Sequence, residues 1–161
     1  GFLSDCFTGA YTGVDINEKY IKKARGNKKG VFLTGDATTL PFEANTFDFV
    51  FTCGVLHHLN AGSCEKMLKE MWRVCAPGGH ILIIDGIIPS NKLNMIGYIL
   101  AKLDKGRFKL RLTAFKKMIA SAYSDKTAEI AFKSLTVFFH EYVVAFMGKR
   151  GQGQQNTGWK E

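Results

Sequence analysis

The run Thr46-Phe47-Asp48-Phe49-Val50-Phe51-Thr52-Cys53 constrains the fold of this chain more than any other stretch. Its nearly unbroken apolarity suits a strand covered on both faces, the situation of a central strand in a parallel sheet with helices on either side. The same pattern returns at His80-Ile81-Leu82-Ile83-Ile84-Asp85. Between the two, Glu65 to Cys75 places Met67, Leu68, Met71, Trp72 and Cys75 at helical spacing, and Pro77-Gly78-Gly79 punctuates the end. Upstream, Thr12 to Ile16 and Gly30 to Thr34 read as two more strands. The helix between them runs from Asn17 as cap to about Arg25, with Tyr20, Ile21 and Ala24 on its inner face and Gly26 as a stop. Strands alternating with helices predict right-handed βαβ units and an α/β, doubly wound, mostly parallel sheet.

A chain of 161 residues with 46% hydrophobic and 22% charged residues suits one globular domain, here residues 1–147. Residues 148–161, rich in Gly and Gln and devoid of aliphatic side chains, read as a disordered tail. No apolar run approaches the roughly 20 residues that span a bilayer, and Gly1-Phe2-Leu3-Ser4-Asp5 lacks the basic start of a secretion signal, so the cytosol is the expected compartment. Cys6, Cys53, Cys64 and Cys75 form no Cys-x-x-Cys pair and have no His at ligand spacing, which predicts free thiols and neither a metal site nor a disulfide framework. The net charge of +8 is uneven: nine Lys/Arg balance nine Asp/Glu up to residue 91, whereas residues 92–161 carry thirteen against five. Such asymmetry fits an acidic partner or a solvated basic face.

Beyond Pro89, Leu93, Ile96, Ile99, Leu100 and Leu103 recur at helical spacing, with Lys92, Lys102 and Lys105 on the margins. A packing helix, a lid over a site and a helix lying in a membrane interface all fit that pattern. Thr113 can cap a further helix to Ala122, and strands at 130–137 and 139–147 are close enough to pair as a C-terminal antiparallel hairpin.

Candidate site residues gather at the strand ends. Asp15 ends a strand and precedes a helix, the position from which a carboxylate accepts hydrogen bonds from ribose hydroxyls at the carboxyl edge of a parallel sheet. Gly35-Asp36-Ala37 closes the next strand, where Asp36 also suits a simple turn. Leu40-Pro41-Phe42, Phe47-Asp48, Val55-Leu56-His57-His58-Leu59 and Pro77-Gly78-Gly79 follow in that order. So ordered, these segments resemble the class I S-adenosylmethionine-dependent methyltransferases, the small-molecule type related to the ubiquinone and menaquinone methyltransferases, over about residues 1–90.

The resemblance implies a Rossmann-like sheet, S-adenosyl-L-methionine as cofactor and transfer of its methyl group to an unidentified small molecule. It implies that Asp15 bridges the ribose hydroxyls with Ile16 against the adenine, and that Asp36 accepts from the adenine amine with the Ala37 N–H on a ring nitrogen. The backbone at Cys53 would meet the cofactor's amino-acid moiety, its thiol being inert packing. Gly1 would be the last glycine of a Gly-x-Gly-x-Gly loop whose remainder, with the first strand, is missing. Backbone groups left unpaired in a core cost about 1–3 kcal/mol each against total stabilities of about 5–15 kcal/mol, so this form is expected to bind the cofactor poorly. His58 is the candidate catalytic base, the rival reading being that His57-His58 floors the cofactor pocket. Arg107 or Arg111 suits an acidic group on the acceptor, since guanidinium grips carboxylates bidentately.

Two other readings compete. In the first, the basic second half makes a non-enzymatic module for nucleic acid or anionic lipid. The basic residues are interleaved only with Phe108 and Phe115, too sparse for a base-stacking platform, which disfavours nucleic acid and leaves peripheral membrane contact open. In the second, Tyr98 and Lys102 match the Tyr-x-x-x-Lys spacing of nicotinamide-dependent oxidoreductases, but the Gly-Asp-Ala segment has no place there and no catalytic Ser precedes Tyr98 in the expected strand.

Overall fold

The structure, a computed structural model, describes residues 9–27, 29–89, 94–103, 108–124 and 128–150. Gly1, Arg107 and nearly all of the predicted tail lie outside the described residues. The chain forms two compact units, Gly1–Pro41 and Phe42–Glu161.

In the first unit, β1 (Thr12–Asp15) and β2 (Val31–Thr34) pair in parallel, with Asp15 opposite Thr34, and α1 (Glu18–Asn27) crosses between them. Asn17 caps α1 as predicted, its Oδ1 accepting from the Lys19 N–H at 3.0 Å. Ile21 and Phe32 are buried, and the Arg25 Nε donates to the Phe32 carbonyl at 2.9 Å. Tyr20, expected on the inner face, is exposed instead.

The second unit runs β3 (Phe47–Cys53), a 3₁₀ turn (Leu56–His58), α2 (Ala61–Val74), β4 (Cys75–Ile87), α3 (Met95–Leu103), α4 (Leu112–Ala122), β5 (Ala128–Val137) and β6 (His140–Lys149). Its sheet order is β3-β4-β6-β5, parallel between β3 and β4 and antiparallel elsewhere. The predicted α/β class and C-terminal hairpin are both present. Ile81, Ile83, Asp85 and Ile87 point to one face of β4 and are buried with Val143, Ala145 and Met147 of β6. α2 packs against β3, β4 and α4, burying Met67, Leu68, Met71 and Val74; each such side chain contributes about 1.5–3 kcal/mol by leaving water.

Several elements depart from their predicted form for identifiable reasons. α2 begins four residues before the predicted Glu65 because Asn60 caps it, accepting from the Ser63 N–H at 2.9 Å. β4 starts at Cys75, not His80, since Pro77-Gly78-Gly79 is absorbed into the strand where its register against β3 shifts between Phe47 and Phe49. Arg111, not Thr113, occupies the N-cap of α4. β6 extends through Lys149, into the span assigned to the tail, because the Lys149 ammonium donates to the Trp72 and Cys75 carbonyls at 2.9 and 2.6 Å and stands over the Trp72 ring. β3, whose apolarity suits the middle of a sheet, stands at the edge: among the described residues it is bonded to β4 alone, as β1 is to β2 alone.

Candidate functional site

The first unit gathers its predicted site residues at one sheet edge. Asp15 is opposite Thr34, its carbonyl accepts from the Gly35 N–H at 3.1 Å, and the Gly35-Asp36 turn therefore lies beside it. Asp15 is half-buried, and its Oδ1 accepts from the Asn17 N–H at 2.7 Å, which fixes the carboxylate at the mouth of α1. Asp36 holds its own turn in the same way, Oδ1 accepting from the Thr38 N–H at 2.8 Å, with Ala37 inside the turn closed by Thr39 N–H to the Asp36 carbonyl at 3.1 Å. The turn role and the ligand role of Asp36 are thus compatible, because a carboxylate has four acceptor positions. Ile16 is 75% exposed, an apolar side chain available to a flat ring. Two positioned carboxylates and one exposed aliphatic chain thus stand at this edge.

The second unit holds a cavity of about 170 Å³ at the carboxyl end of β3. Cys53 and Gly54 line it, together with His57, Asp85, Lys109 and His140. Gly54 takes a positive φ of 67°, which turns the chain sharply from β3 toward the 3₁₀ turn, and its N–H donates to the Ile84 carbonyl at 2.9 Å. Asp85 is 2% exposed and organises the site. Its Oδ2 accepts from the Leu56 N–H at 2.7 Å; its Oδ1 accepts from the Gly86 N–H at 2.7 Å and meets His57 Nδ1 at 2.5 Å. Desolvation, and then the Asp85 charge, push the Cys53 thiol above its ordinary value, so it stays a neutral thiol.

The predicted base, His58, is exposed and does not line the cavity. Its neighbour His57 does, with its ring 4.1 Å from that of His58 and its side chain 11% exposed. Nor does Arg111 reach the cavity: it is exposed and pairs with Ile88 in an isolated bridge. A lysine, Lys109, lines it instead and lies beside the Gly86 backbone. Asp85 was missed by the sequence reading as a site residue. The available signal was an acid closing an otherwise apolar strand, the same signal that singles out Asp15.

Residues 1–83 match the family described as methyltransferase domain. The chain belongs to this family. Its fold is that of the class I S-adenosylmethionine-dependent methyltransferases. This methyltransferase domain is 40% identical over 87 residues to the phthiotriol/phenolphthiotriol dimycocerosates methyltransferase 1 of Mycobacterium ulcerans, covering 52% of the chain and 31% of that protein. It is 32% identical over 123 residues to the demethylmenaquinone methyltransferase of Bacillus cereus, covering 73% and 48%. The chain thus spans about half or less of the length of these relatives. Among solved structures, a SAM-dependent methyltransferase from Methanosarcina mazei superposes with a TM-score of 0.66 at 19% identity, over 88% of this chain and 82% of that one, a likeness of fold.

Proposed function

We propose that this methyltransferase domain uses S-adenosyl-L-methionine to methylate a small molecule whose acceptor atom carries a proton, and that His57 removes that proton. The observation that carries the reading is the His57–Asp85 pair at the cavity wall. Asp85, buried and acceptor-only, takes the Nδ1–H of His57, which leaves Nε2 as the basic nitrogen. Asp85 is itself positioned by the two backbone donors, so the imidazole is held in one orientation before any acceptor arrives. Lys109 supplies a positive charge against the anion formed as the proton leaves.

Asp15 and Asp36 are assigned to the ribose and adenine, Ile16 to the adenine face, the Ala37 N–H to a ring nitrogen and the Cys53 backbone to the amino-acid end. When bound, the cofactor supplies the methyl group as an electrophilic sulfonium carbon, which needs little beyond in-line placement of a deprotonated acceptor.

Isothermal titration of the chain with S-adenosylhomocysteine tests the reading. Saturable one-to-one binding, weaker than about 1 μM, is expected. No heat up to millimolar ligand would reject the cofactor assignment, and submicromolar affinity would reject only the weakness.

A further inference from the structure

α3 is seated in an unusual way. Gly97 is the buried residue at its contact with the β5–β6 turn, where an added Cβ would overlap the Phe139 carbonyl oxygen. Asn94 reinforces the contact, its Nδ2 donating to that same carbonyl at 3.0 Å while its Oδ1 accepts from the Gly97 N–H at 2.9 Å. Because a glycine makes the seat, the larger side chains flanking it are left outside: Met95 is 69% exposed, Ile96 53% and Ile99 52%. The turn beneath adds Phe138, 91% exposed, and Phe139, while Phe108 stands exposed beside Lys109. Gly97, Lys109 and His140 all line the cavity, so these exposed side chains stand on segments that border the site that holds His57.

We infer that these side chains form a docking face for an anionic lipid bilayer. From Lys92 to Lys117 the chain carries eight Lys/Arg and a single acid, Asp104, so the sequence that supplies α3, Phe108 and the start of α4 is strongly cationic. Aliphatic and aromatic side chains standing out of a cationic segment match an interface whose headgroups are negative and whose acyl boundary is apolar. The same charge opposes the obvious alternative, a second copy of the chain, because two such segments would meet face to face. The exposed aliphatic chains of Met95, Ile96 and Ile99 favour an acyl boundary over the bases of a nucleic acid, which stack on aromatic rings. No helix among the described residues is long and apolar enough to cross a membrane, so the face lies on the bilayer. A bilayer docked there would present an acceptor carried in lipid to the cavity, and this last step rests on the proposed methyl transfer.

Sedimentation of the chain with vesicles of equal parts phosphatidylglycerol and phosphatidylcholine tests the face, with pure phosphatidylcholine vesicles alongside. Binding to the anionic vesicles is expected, falling by at least about tenfold in the double variant Ile96→Ser/Ile99→Ser and by a similar factor on pure phosphatidylcholine. Both positions are exposed, so circular dichroism and S-adenosylhomocysteine titration of that variant should match the parent. Equal binding by parent and variant, or no preference for the anionic vesicles, would overturn the inference. So would a concentration-dependent dimer in ultracentrifugation that the double variant abolishes while vesicles bind neither protein; that result assigns the face to a second copy. Vesicle binding with no S-adenosylhomocysteine binding would leave the face standing and remove the enzymatic reading instead.

Discussion

Asp15 and Asp85 stand at or near the ends of strands that pair in parallel, yet the two ends are built for different work. Asp15, in the smaller unit, is half-buried, and among the described residues its carboxylate is held by the backbone N–H two residues on. Asp85, in the larger unit, is 2% exposed and joins two backbone donors to a histidine 28 residues earlier in the chain. A carboxylate held by a local turn keeps lone pairs for a ligand. One enclosed by long-range partners has little left to offer a ligand and serves to position its neighbours. The difference teaches that strand-end acids in one sheet family divide between binding and positioning according to who occupies their lone pairs.

Removing Asp85 should therefore produce the largest effect in the molecule. Asp85→Ala strands the buried Leu56 N–H and the His57 Nδ1–H at once, and each buried donor left unsatisfied costs about 1–3 kcal/mol. Urea unfolding should show a loss of that size, with turnover lost as well. A change below about 1 kcal/mol would mean that water replaces the carboxylate and that Asp85 organises nothing.

His57→Asn comes next, because its amide can still donate to Asp85 while offering no basic nitrogen. Methyl transfer should fall by about 10²–10⁴-fold with stability nearly unchanged. His58→Asn, at the exposed neighbour, should leave turnover within about threefold, a surface position having little purchase on either quantity. If the two variants exchange these phenotypes, the base is His58 as the sequence suggested and Asp85 has a purely structural role.

The contrast also explains what was legible in the sequence. Strand, acid, helix is a local pattern, so the positions of β1, α1, β2 and the turn at Asp36 follow from residues a few places apart. The pairing of β5 with β6 was visible for the same reason, two alternating runs separated by a short turn. The His57–Asp85 pair was not, since it depends on β3 and β4 lying parallel so that the turn after one meets the end of the other. The start of β4 failed differently: Pro77-Gly78-Gly79 carries a local turn signal that tertiary pairing with β3 overrides. The exposure of α3 was hidden because helical periodicity reports an apolar face without reporting what covers it.

Asp15→Ala should behave as the counterpart of Asp85→Ala, harming binding more than folding. Hydrogen bonds to a charged group are worth about 1.5–3 kcal/mol, so affinity for S-adenosylhomocysteine should drop by about 10-fold or more while the unfolding midpoint barely moves. Titration and thermal unfolding of the same sample separate the two. A large fall in stability with unchanged affinity per folded molecule would make Asp15 a turn residue and erase the division between the two acids.

The smallest expected effect carries the same comparison to two tyrosines, one in each unit. Tyr123 is 2% exposed, and its hydroxyl donates to the Leu68 carbonyl at 2.9 Å, 55 residues away; burial, and then Cys75, push it far above its ordinary value of 10.0. Tyr11 is half-buried, and burial also raises it from 10.0. A raised folded value means that the folded state keeps a proton that the unfolded state releases, so this contribution is intact below pH 10 and is lost as pH rises beyond it. For a fully buried tyrosine the slope is about 1.4 kcal/mol per pH unit. Tyr123→Phe should cost about 0.5–1.5 kcal/mol near neutral pH, where the bond to Leu68 is lost, and should recover that deficit above pH 10 as the parent weakens. Tyr11→Phe should leave the alkaline slope nearly as it was, because water screens its half-open ring. Parallel pH curves for parent and Tyr123→Phe would show that the hydroxyl is not enclosed in the folded core, and with it the tight long-range packing that sets the larger unit apart.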